Sequence, residues 1–277
     1  RDTNLGAGAG TLTFGGGILR ATADITMSRA TTLNAGGTFD VATGATLAQN
    51  GVIGGAGGLT KAGSGTLTLA AANGYSGATT VNAGTLALSG NGDIAASSGV
   101  NLAVANTTFD ISGANGSRTI QDLTGVAGTF IVLGGNSLTV GTANSTSFAG
   151  NISGGGGLTK TGSGTLILSG ANNYTGGTVV SAGTLQGNTA SLQGDITNNA
   201  AVVFDQAING IYAGVMSGTG SLTKTGGGTL ILSGINTYGG GTTVNGGALS
   251  ISQDANLGAA GGPLTLAGGT LQTTANI

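Results

Sequence analysis

The chain has 277 residues, of which 60 are glycine and only 6% are charged, and its formal net charge is −2. Nucleic acids and anionic membranes bind proteins through clustered lysine and arginine, so this composition argues against both partners. There is no cysteine or histidine, and all nine acidic residues are aspartate. That inventory removes disulfides and most nucleophiles and general bases, and it predicts no catalytic site, cofactor or metal.

A segment of about thirty residues is repeated three times. The copies occupy residues 57–86, 156–185 and 220–249. Each opens with Gly-Gly-Leu-Thr-Lys or Gly-Ser-Leu-Thr-Lys and closes with Gly-Thr-Leu or Gly-Ala-Leu. A unit that recurs in sequence usually recurs in space as one supersecondary element stacked on its neighbours. The chain is therefore predicted to be a solenoid.

A shorter echo lies inside each copy. In the first copy Gly65-Thr66-Leu67 returns as Gly84-Thr85-Leu86, and the other two copies keep the same offset. Three short strands and their turns need about 20 residues, the length of one coil of a parallel β-helix. The echoes are thus predicted to lie in adjacent coils. The three repeat lysines, at positions 61, 160 and 224, are expected to be whole numbers of coils apart.

The local pattern favours strands over helices. Residues 65–69 and 164–168 alternate leucine with threonine or isoleucine, which is the period-2 signal of an element with one buried face. The abundant glycine disfavours helix interiors but suits tight corners that need positive φ. No apolar run approaches the ~18 residues of a membrane helix, so no direct membrane insertion is expected.

These motifs resemble the passenger-associated transport repeats, also called autotransporter-associated β-strand repeats, of Gram-negative autotransporter proteins. The shared elements are Gly-Gly-Leu-Thr-Lys, the Gly-Thr-Leu-Thr-Leu or Gly-Thr-Leu-Ile-Leu strand, an Asn-and-Tyr corner and the closing Gly-Thr-Leu. The resemblance implies a right-handed parallel β-helix in a passenger exported across the outer membrane through a C-terminal β-barrel translocator. It further implies a cell-surface or extracellular location.

Six residues of the repeat are singled out as structural positions. They are Lys61, Lys160 and Lys224, and Tyr75, Tyr174 and Tyr238. Each lysine precedes a glycine turn, and we interpret it as a solvated corner residue because lysine is seldom buried unpaired. Ligand contact is the alternative. Each tyrosine is expected to pack over its corner, with sugar stacking on an exposed ring as the alternative.

Aspartate and tyrosine are the usual general bases and nucleophiles that remain as candidates for catalysis. Strand alternation places Phe39, Phe109 and Phe204 inward and the aspartate that follows each of them outward. A glycosidase needs two carboxylates within ~5 to 10 Å. Asp93 and Asp110 come nearest to being one coil apart, but no basic residue lies close in sequence to clamp a substrate.

The sequence as a whole predicts an all-β, single-stranded right-handed parallel β-helix of about 13 to 14 coils, running without interruption over residues 1–277. Asn4-Leu5-Gly6 is matched at the far end by Asn256-Leu257-Gly258, so the array is expected to belong to a longer passenger. We interpret it as a stalk supporting secretion and adhesion or aggregation, with a host-cell surface, extracellular matrix or a second copy as partner. The alternatives are a carbohydrate-active β-helix enzyme and a self-associating extracellular filament; ice binding is disfavoured because the Thr-x-Thr units are scattered.

Overall fold

The computed structural model describes residues 10–275 and contains short strands throughout. The helical element among them is a single 3-10 turn, Asp254–Leu257. The N-terminal echo motif Asn4-Leu5-Gly6 lies outside the described residues. This architecture confirms the prediction of an all-β chain.

Most strands have three or four residues, enough to cross one side of a coil before a glycine corner. In chain order the strands are β1 (Leu12–Ala21), β2 (Ile25–Met27), β3 (Thr31–Val41), β4 (Thr46–Gln49), β5 (Ile53–Gly54), β6 (Leu59–Ala62), β7 (Thr66–Leu69), β8 (Thr79–Val81), β9 (Thr85–Gly90), β10 (Gly99–Leu102), β11 (Thr108–Ala114), β12 (Arg118–Ile120), β13 (Asp122–Gly125), β14 (Phe130–Val132), β15 (Leu138–Val140), β16 (Thr146–Phe148), β17 (Asn151–Ser153), β18 (Leu158–Lys160), β19 (Thr165–Leu168), β20 (Thr178–Val180), β21 (Thr184–Gly187), β22 (Ile196–Asn198), β23 (Ala201–Asp205), β24 (Gly210–Tyr212), β25 (Met216–Ser217), β26 (Ser221–Thr225), β27 (Thr229–Leu232), β28 (Thr242–Val244), β29 (Ala248–Ile251), β30 (Leu264–Leu266) and β31 (Thr270–Thr273).

The described chain divides into two compact units. The first comprises residues 10–140 and 149–156, and the second comprises residues 141–148 and 157–275. In the first unit the sheets run in the orders β1-β3-β6-β8-β10-β13, β2-β4-β7-β9-β11-β14-β17 and β12-β15, with β5 beside β3. Their pairings are parallel, as expected when each coil repeats the direction of the one before it.

The second unit is built in the same way. Its sheets run in the orders β16-β19-β21-β23-β26-β28-β30, β18-β20-β22-β25 and β24-β27-β29-β31. Counting one strand of the longest sheet per turn gives six turns in the first unit and seven in the second, a parallel β-solenoid of about 13 turns. The predicted fold class is confirmed, while the handedness and a single helix over residues 1–277 stay predictions.

The echoes inside each repeat are register partners. Thr66 pairs with Thr85, and the corresponding residues of the other copies pair likewise, which confirms that the echoes lie in adjacent coils. The expected whole number of coils between Lys160 and Lys224 is wrong. In the sheet of β18, Lys160 pairs with Val180 of the next coil, and Val180 pairs with Asn198 of the coil after that. Lys224 instead lies in the sheet of β19, one side further round the coil. Three coils from Thr159 end at Ser217, 58 residues later, whereas the two copies are 64 residues apart.

The core is a column of apolar side chains inside the coils. Leu59, Leu67 and Leu86 have no exposed surface, and threonines between such positions point outward. Phe39, Phe109 and Phe204 are also fully buried, and the aspartate after each is at least partly exposed, as strand alternation predicts.

Candidate functional site

The repeat lysines lie inside the coils. Lys61, Lys160 and Lys224 are 0%, 1% and 0% exposed, so the expectation that they are solvated is wrong. The physical reason is the strand period: Leu59 points inward, so Lys61, two residues later on the same strand, points inward too. A buried ammonium requires partners, and the backbone supplies them.

A cage of three carbonyl oxygens surrounds the ammonium of Lys61. Its Nζ donates to the carbonyls of Ala62 at 2.8 Å, Gly63 at 2.6 Å and Ala83 at 3.0 Å. An ammonium has three N–H donors, so each has an acceptor. Gly63 and Gly84 have φ of 70° and 65°, the left-handed conformation that forms these two stacked turns. Because Ala83 belongs to the following coil, the cage ties one coil to the next.

The other two copies build the same cage. In each copy the acceptors are the carbonyls one, two and 22 residues after the lysine. The bonds join Lys160 Nζ to Thr161, Gly162 (2.8 Å) and Ala182 (3.4 Å), and Lys224 Nζ to Thr225 (2.6 Å), Gly226 (2.8 Å) and Gly246 (3.1 Å).

Burial changes the acidity of these lysines. Desolvation lowers the pKa of Lys61 to about 8, against a smaller opposing effect of the Asp40 carboxylate. Desolvation also lowers the pKa of Lys160 and of Lys224, the latter opposed by Asp205. At neutral pH the Lys61 amine therefore still carries its proton and can use all three donors.

A buried asparagine follows each repeat lysine at the same distance along the chain. The Asn73 Oδ1 accepts from the Ile53 N–H at 2.9 Å, and its Nδ2 donates to the carbonyls of Ala71 at 2.8 Å and Asp93 at 3.0 Å. Residues 53, 73 and 93 belong to successive coils. One side chain thus joins three coils.

A buried tyrosine and threonine complete the arrangement. The Tyr75 and Thr79 hydroxyls are hydrogen-bonded at 2.6 Å, and Thr79 also bonds Ser97 of the next coil at 2.9 Å. Burial raises the pKa of Tyr75. We call the four residues of each copy its polar corner. The corners are Lys61, Asn73, Tyr75 and Thr79; Lys160, Asn172, Tyr174 and Thr178; and Lys224, Asn236, Tyr238 and Thr242.

Sequence reasoning noted the asparagine only as part of the Asn-and-Tyr corner, and it missed the threonine of the polar corner. Each keeps a fixed distance from the lysine in all three copies. That invariance does not by itself mark a buried position, because the outward-facing Thr60 and Thr66 also keep their places in all three copies. The buried tyrosine rings, at most 3% exposed in the repeats, do not offer a stacking surface to a sugar.

The described aspartates lie on separate strands and turns. Among residues 10–275 no three Asp, Glu, His or Cys side chains come together in a way that could hold a metal. Asp93 forms an isolated bridge with Ala72, while Asp110 lies on β11. Asp40 forms an ion pair with Arg20 at 3.4 Å. Over the same part of the chain, no helix has the length and apolar character needed to cross a bilayer.

Positive and negative side chains are distributed unequally between inside and outside. The repeat lysines and Arg29 are buried, and Arg118 donates to four backbone carbonyls. Arg20, by contrast, has a side chain 69% exposed. All eight aspartates of the described residues are at least partly exposed. Over residues 10–275 the outer surface accordingly carries more carboxylates than cations.

The repeats match a known family. Residues 59–88, 158–186 and 222–251 match the Passenger-associated-transport-repeat. A stretch of 63 residues, 23% of the chain, is 52% identical to the Adhesin BmaC autotransporter of Brucella suis biovar 1 (strain 1330). The match covers 2% of that adhesin, so the chain spans a small part of this relative's length. No solved structure matches the chain.

Proposed function

We propose that this chain, a parallel β-solenoid with three passenger-associated-transport repeats and a stretch similar to an autotransporter adhesin, is a non-enzymatic scaffold of a cell-surface protein. In this role it supports secretion of the passenger and presents an adhesive or aggregating surface. The observation that carries the proposal is the polar corner, whose hydrogen bonds run from coil to coil.

The polar corner gives the scaffold a physical mechanism. The stability of a solenoid is approximately a sum of terms within each repeat and between neighbours. The bonds from Lys61 to Ala83 and from Asn73 to Asp93 belong to the neighbour terms. A coil that emerges from a translocation pore is stabilised as soon as it stacks on a coil already folded. Stacking of this kind favours onward passage of the chain without an external energy source.

The parent protein and its partners follow from the same proposal. The parent carries a C-terminal β-barrel translocator, and the segment lies outside the outer membrane. Its partner is a host-cell surface, extracellular matrix or a second copy on a neighbouring cell. The chain's outer faces suit broad, weakly charged contact: Thr46, Thr66, Thr85 and Thr108 form one outward column on successive strands, spaced by ~4.8 Å.

Export tests the scaffold role. The chain fused to its translocator is compared with a variant carrying Lys61→Met, Lys160→Met and Lys224→Met, and surface passenger is measured by protease shaving of intact cells. We expect less surface passenger in the variant at an equal amount of inserted barrel. Equal export, with the purified variant shown to be destabilised, contradicts a scaffold role for the corners.

Adhesion is tested separately with beads coated with the chain or with a scrambled-repeat control. Clumping of the beads, or capture on host cells or a glycan panel, supports adhesion by this segment. Inert beads that carry the folded chain contradict the adhesive part of the proposal and leave the scaffold part standing.

A further inference from the structure

A groove opens in the second unit where one coil lacks a strand. The carbonyl of Asn188 accepts from the N–H groups of Ser191 at 3.1 Å and Leu192 at 2.8 Å. This tight turn draws Ser191 and Leu192 into the interior, where both are fully buried. Because residues 188–194 turn inward, they do not form the strand that would pair with β24, one coil later.

β24 is consequently the first strand of its sheet and has an open edge. The Tyr212 carbonyl accepts from the Ser233 N–H at 3.1 Å, so the backbone of Tyr212 faces β27. Successive residues of a strand direct their backbone groups to opposite edges, so those of Ile211 and Ala213 face the groove. Among the described residues, no backbone hydrogen bond joins Ile211 or Ala213 to residues 188–194.

Two adjoining cavities line this edge. One, of about 380 Å³, lies between Thr189, Gln193 and Gly194 on one side and Ile211, Ala213 and Gly214 on the other. The second, of about 100 Å³, continues from Thr189 to Ile208. The groove therefore runs beside Ile211 and Ala213 and reaches Ile208 past Thr189.

The side chains beside the edge do not protect it. Proteins usually blunt an exposed strand edge with lysine, proline or a bulge, because unpaired backbone groups invite another strand. Here Ile208 is 78% exposed and Ile211 is 61% exposed. Val215 and Ile235, at 41% and 59%, extend the apolar surface past the end of the strand. An apolar, hydrogen-bonding groove is the arrangement that receives an added strand.

Carboxylates stand near both ends of the groove. Asp195 follows the groove residue Gly194 and accepts from the Val215 N–H at 2.8 Å. Asp205 immediately precedes Gln206, which lines the smaller cavity. Lys224 interacts electrostatically with Asp205, but its donors are taken by its own carbonyl cage. A ligand with positive charges near its ends complements this surface.

We propose that the open edge of β24 binds an extended peptide segment of another protein as an added strand. Apolar side chains of the segment lie against Ile208 and Ile211, and basic side chains lie near Asp195 and Asp205. The backbone groups of Ile211 and Ala213 supply the pairing. This inference goes beyond the scaffold role and does not depend on it.

The test uses the whole chain and an acetylated, amidated peptide, Lys-Val-Thr-Val-Thr-Val-Lys, followed by amide hydrogen exchange in NMR spectra. Without peptide, the Ile211 and Ala213 amides should exchange faster than the Tyr212 amide. With saturating peptide, exchange at Ile211 and Ala213 should slow by about tenfold or more. Unchanged exchange at both amides overturns the proposal, as does protection of both by dimerisation without peptide.

Two N-methylated peptides provide a matched control. One carries the methyl groups on the backbone nitrogens of its valines and the other on those of its threonines. Because alternate residues direct their N–H groups to opposite edges, each peptide has one edge blocked. We expect one of them to lose binding and the other to stay within about twofold of the parent peptide, since an added strand pairs along one edge. Equal binding by both peptides, or loss of binding by both, overturns edge pairing.

Variants of the protein complete the test. Ile211→Pro removes the N–H that faces the groove and leaves the bonds of Tyr212 in place, so peptide affinity should fall about fivefold. Ile211→Thr, which keeps a β-branched side chain, should also weaken binding. Its peptide affinity is the one to measure if the proline variant does not fold. Asp195→Asn should weaken binding of the lysine peptide but not of one with glutamine at both ends. Full affinity in folded Ile211→Thr and Asp195→Asn variants overturns the proposal.

Discussion

Replacing Lys61 by methionine is expected to destabilise the first unit by about 3 kcal/mol at pH 7. The substitution removes the donor to three carbonyl oxygens, those of Ala62, Gly63 and Ala83. A buried acceptor left without a partner costs about 1–3 kcal/mol. We take the low end of that range for each carbonyl, because the substitution also removes a cost. Burying the lysine charge is unfavourable, as its lowered pKa shows, and methionine carries no charge.

Guanidinium unfolding followed by circular dichroism measures this loss, with amide exchange to localise it to the coils around Lys61. The matched control is Arg20→Met, which removes the same charge from a side chain that is 69% exposed and paired with Asp40. Exposed ion pairs contribute about 0–1 kcal/mol, so the control should stay close to the wild type. A Lys61→Met protein as stable as the control would show that the carbonyls do not need the ammonium, and would refute the cage as a stabilising element.

Gly84 and Gly44 share the left-handed conformation, with φ of 65° and 76°, but a Cβ at Gly84 would collide with two carbonyl oxygens of the previous coil, whereas a Cβ at Gly44 meets nothing within 4 Å. Gly44→Ala should therefore cost about 1–2 kcal/mol and Gly84→Ala distinctly more, and equal shifts in thermal unfolding would contradict this account of the corner. Asn73→Asp replaces two N–H donors by a carboxylate facing two carbonyls, so we expect a loss of about 3 kcal/mol at pH 7 in chemical denaturation that lessens as acid protonates the aspartate; a loss independent of pH would argue against it. Stability should rise between pH 8 and 10, because the folded state loses the Lys61 proton, with a pKa of about 8, while the unfolded state retains its own up to 10.5. Above pH 10 it should fall, because unfolded tyrosines ionise while burial raises the pKa of Tyr238 to about 12. Denaturation at a series of pH values, with tyrosinate absorbance as a second signal, checks both the rise and the fall. A free energy of unfolding that does not change with pH would contradict them.

The coil and its local register could be predicted from the sequence. Thr66 and Thr85 are register partners because the echo that contains them is one coil long. The change of side between Lys160 and Lys224 could not be predicted, since three coils here span 58 residues rather than the 64 that separate the two lysines, and stacking fixes the length of each coil. Glycine-rich corners accept coils of different length without changing the strand pattern, so spacing alone does not fix the side.

The polar corner was only partly predictable. Strand alternation from Leu59 places Lys61 inside, but the rarity of buried lysine pointed the other way. The deciding element, the Ala83 carbonyl, lies on the next coil, and its approach depends on tertiary stacking. Ile211 lies outside every repeat copy, so the open edge of β24 has no counterpart in the repeat pattern.

The change of side within the second unit affects how the repeats are displayed. The Gly-Thr-Leu strand of the second copy, β19, lies in the seven-stranded run of that unit, whereas its counterpart in the third copy, β27, lies in the four-stranded sheet. A bivalent antibody or lectin that recognises this face therefore finds its second epitope around a corner. Avidity through a short rigid linker is lost when geometry forbids simultaneous engagement. These two copies thus present the same chemistry as separate monovalent epitopes.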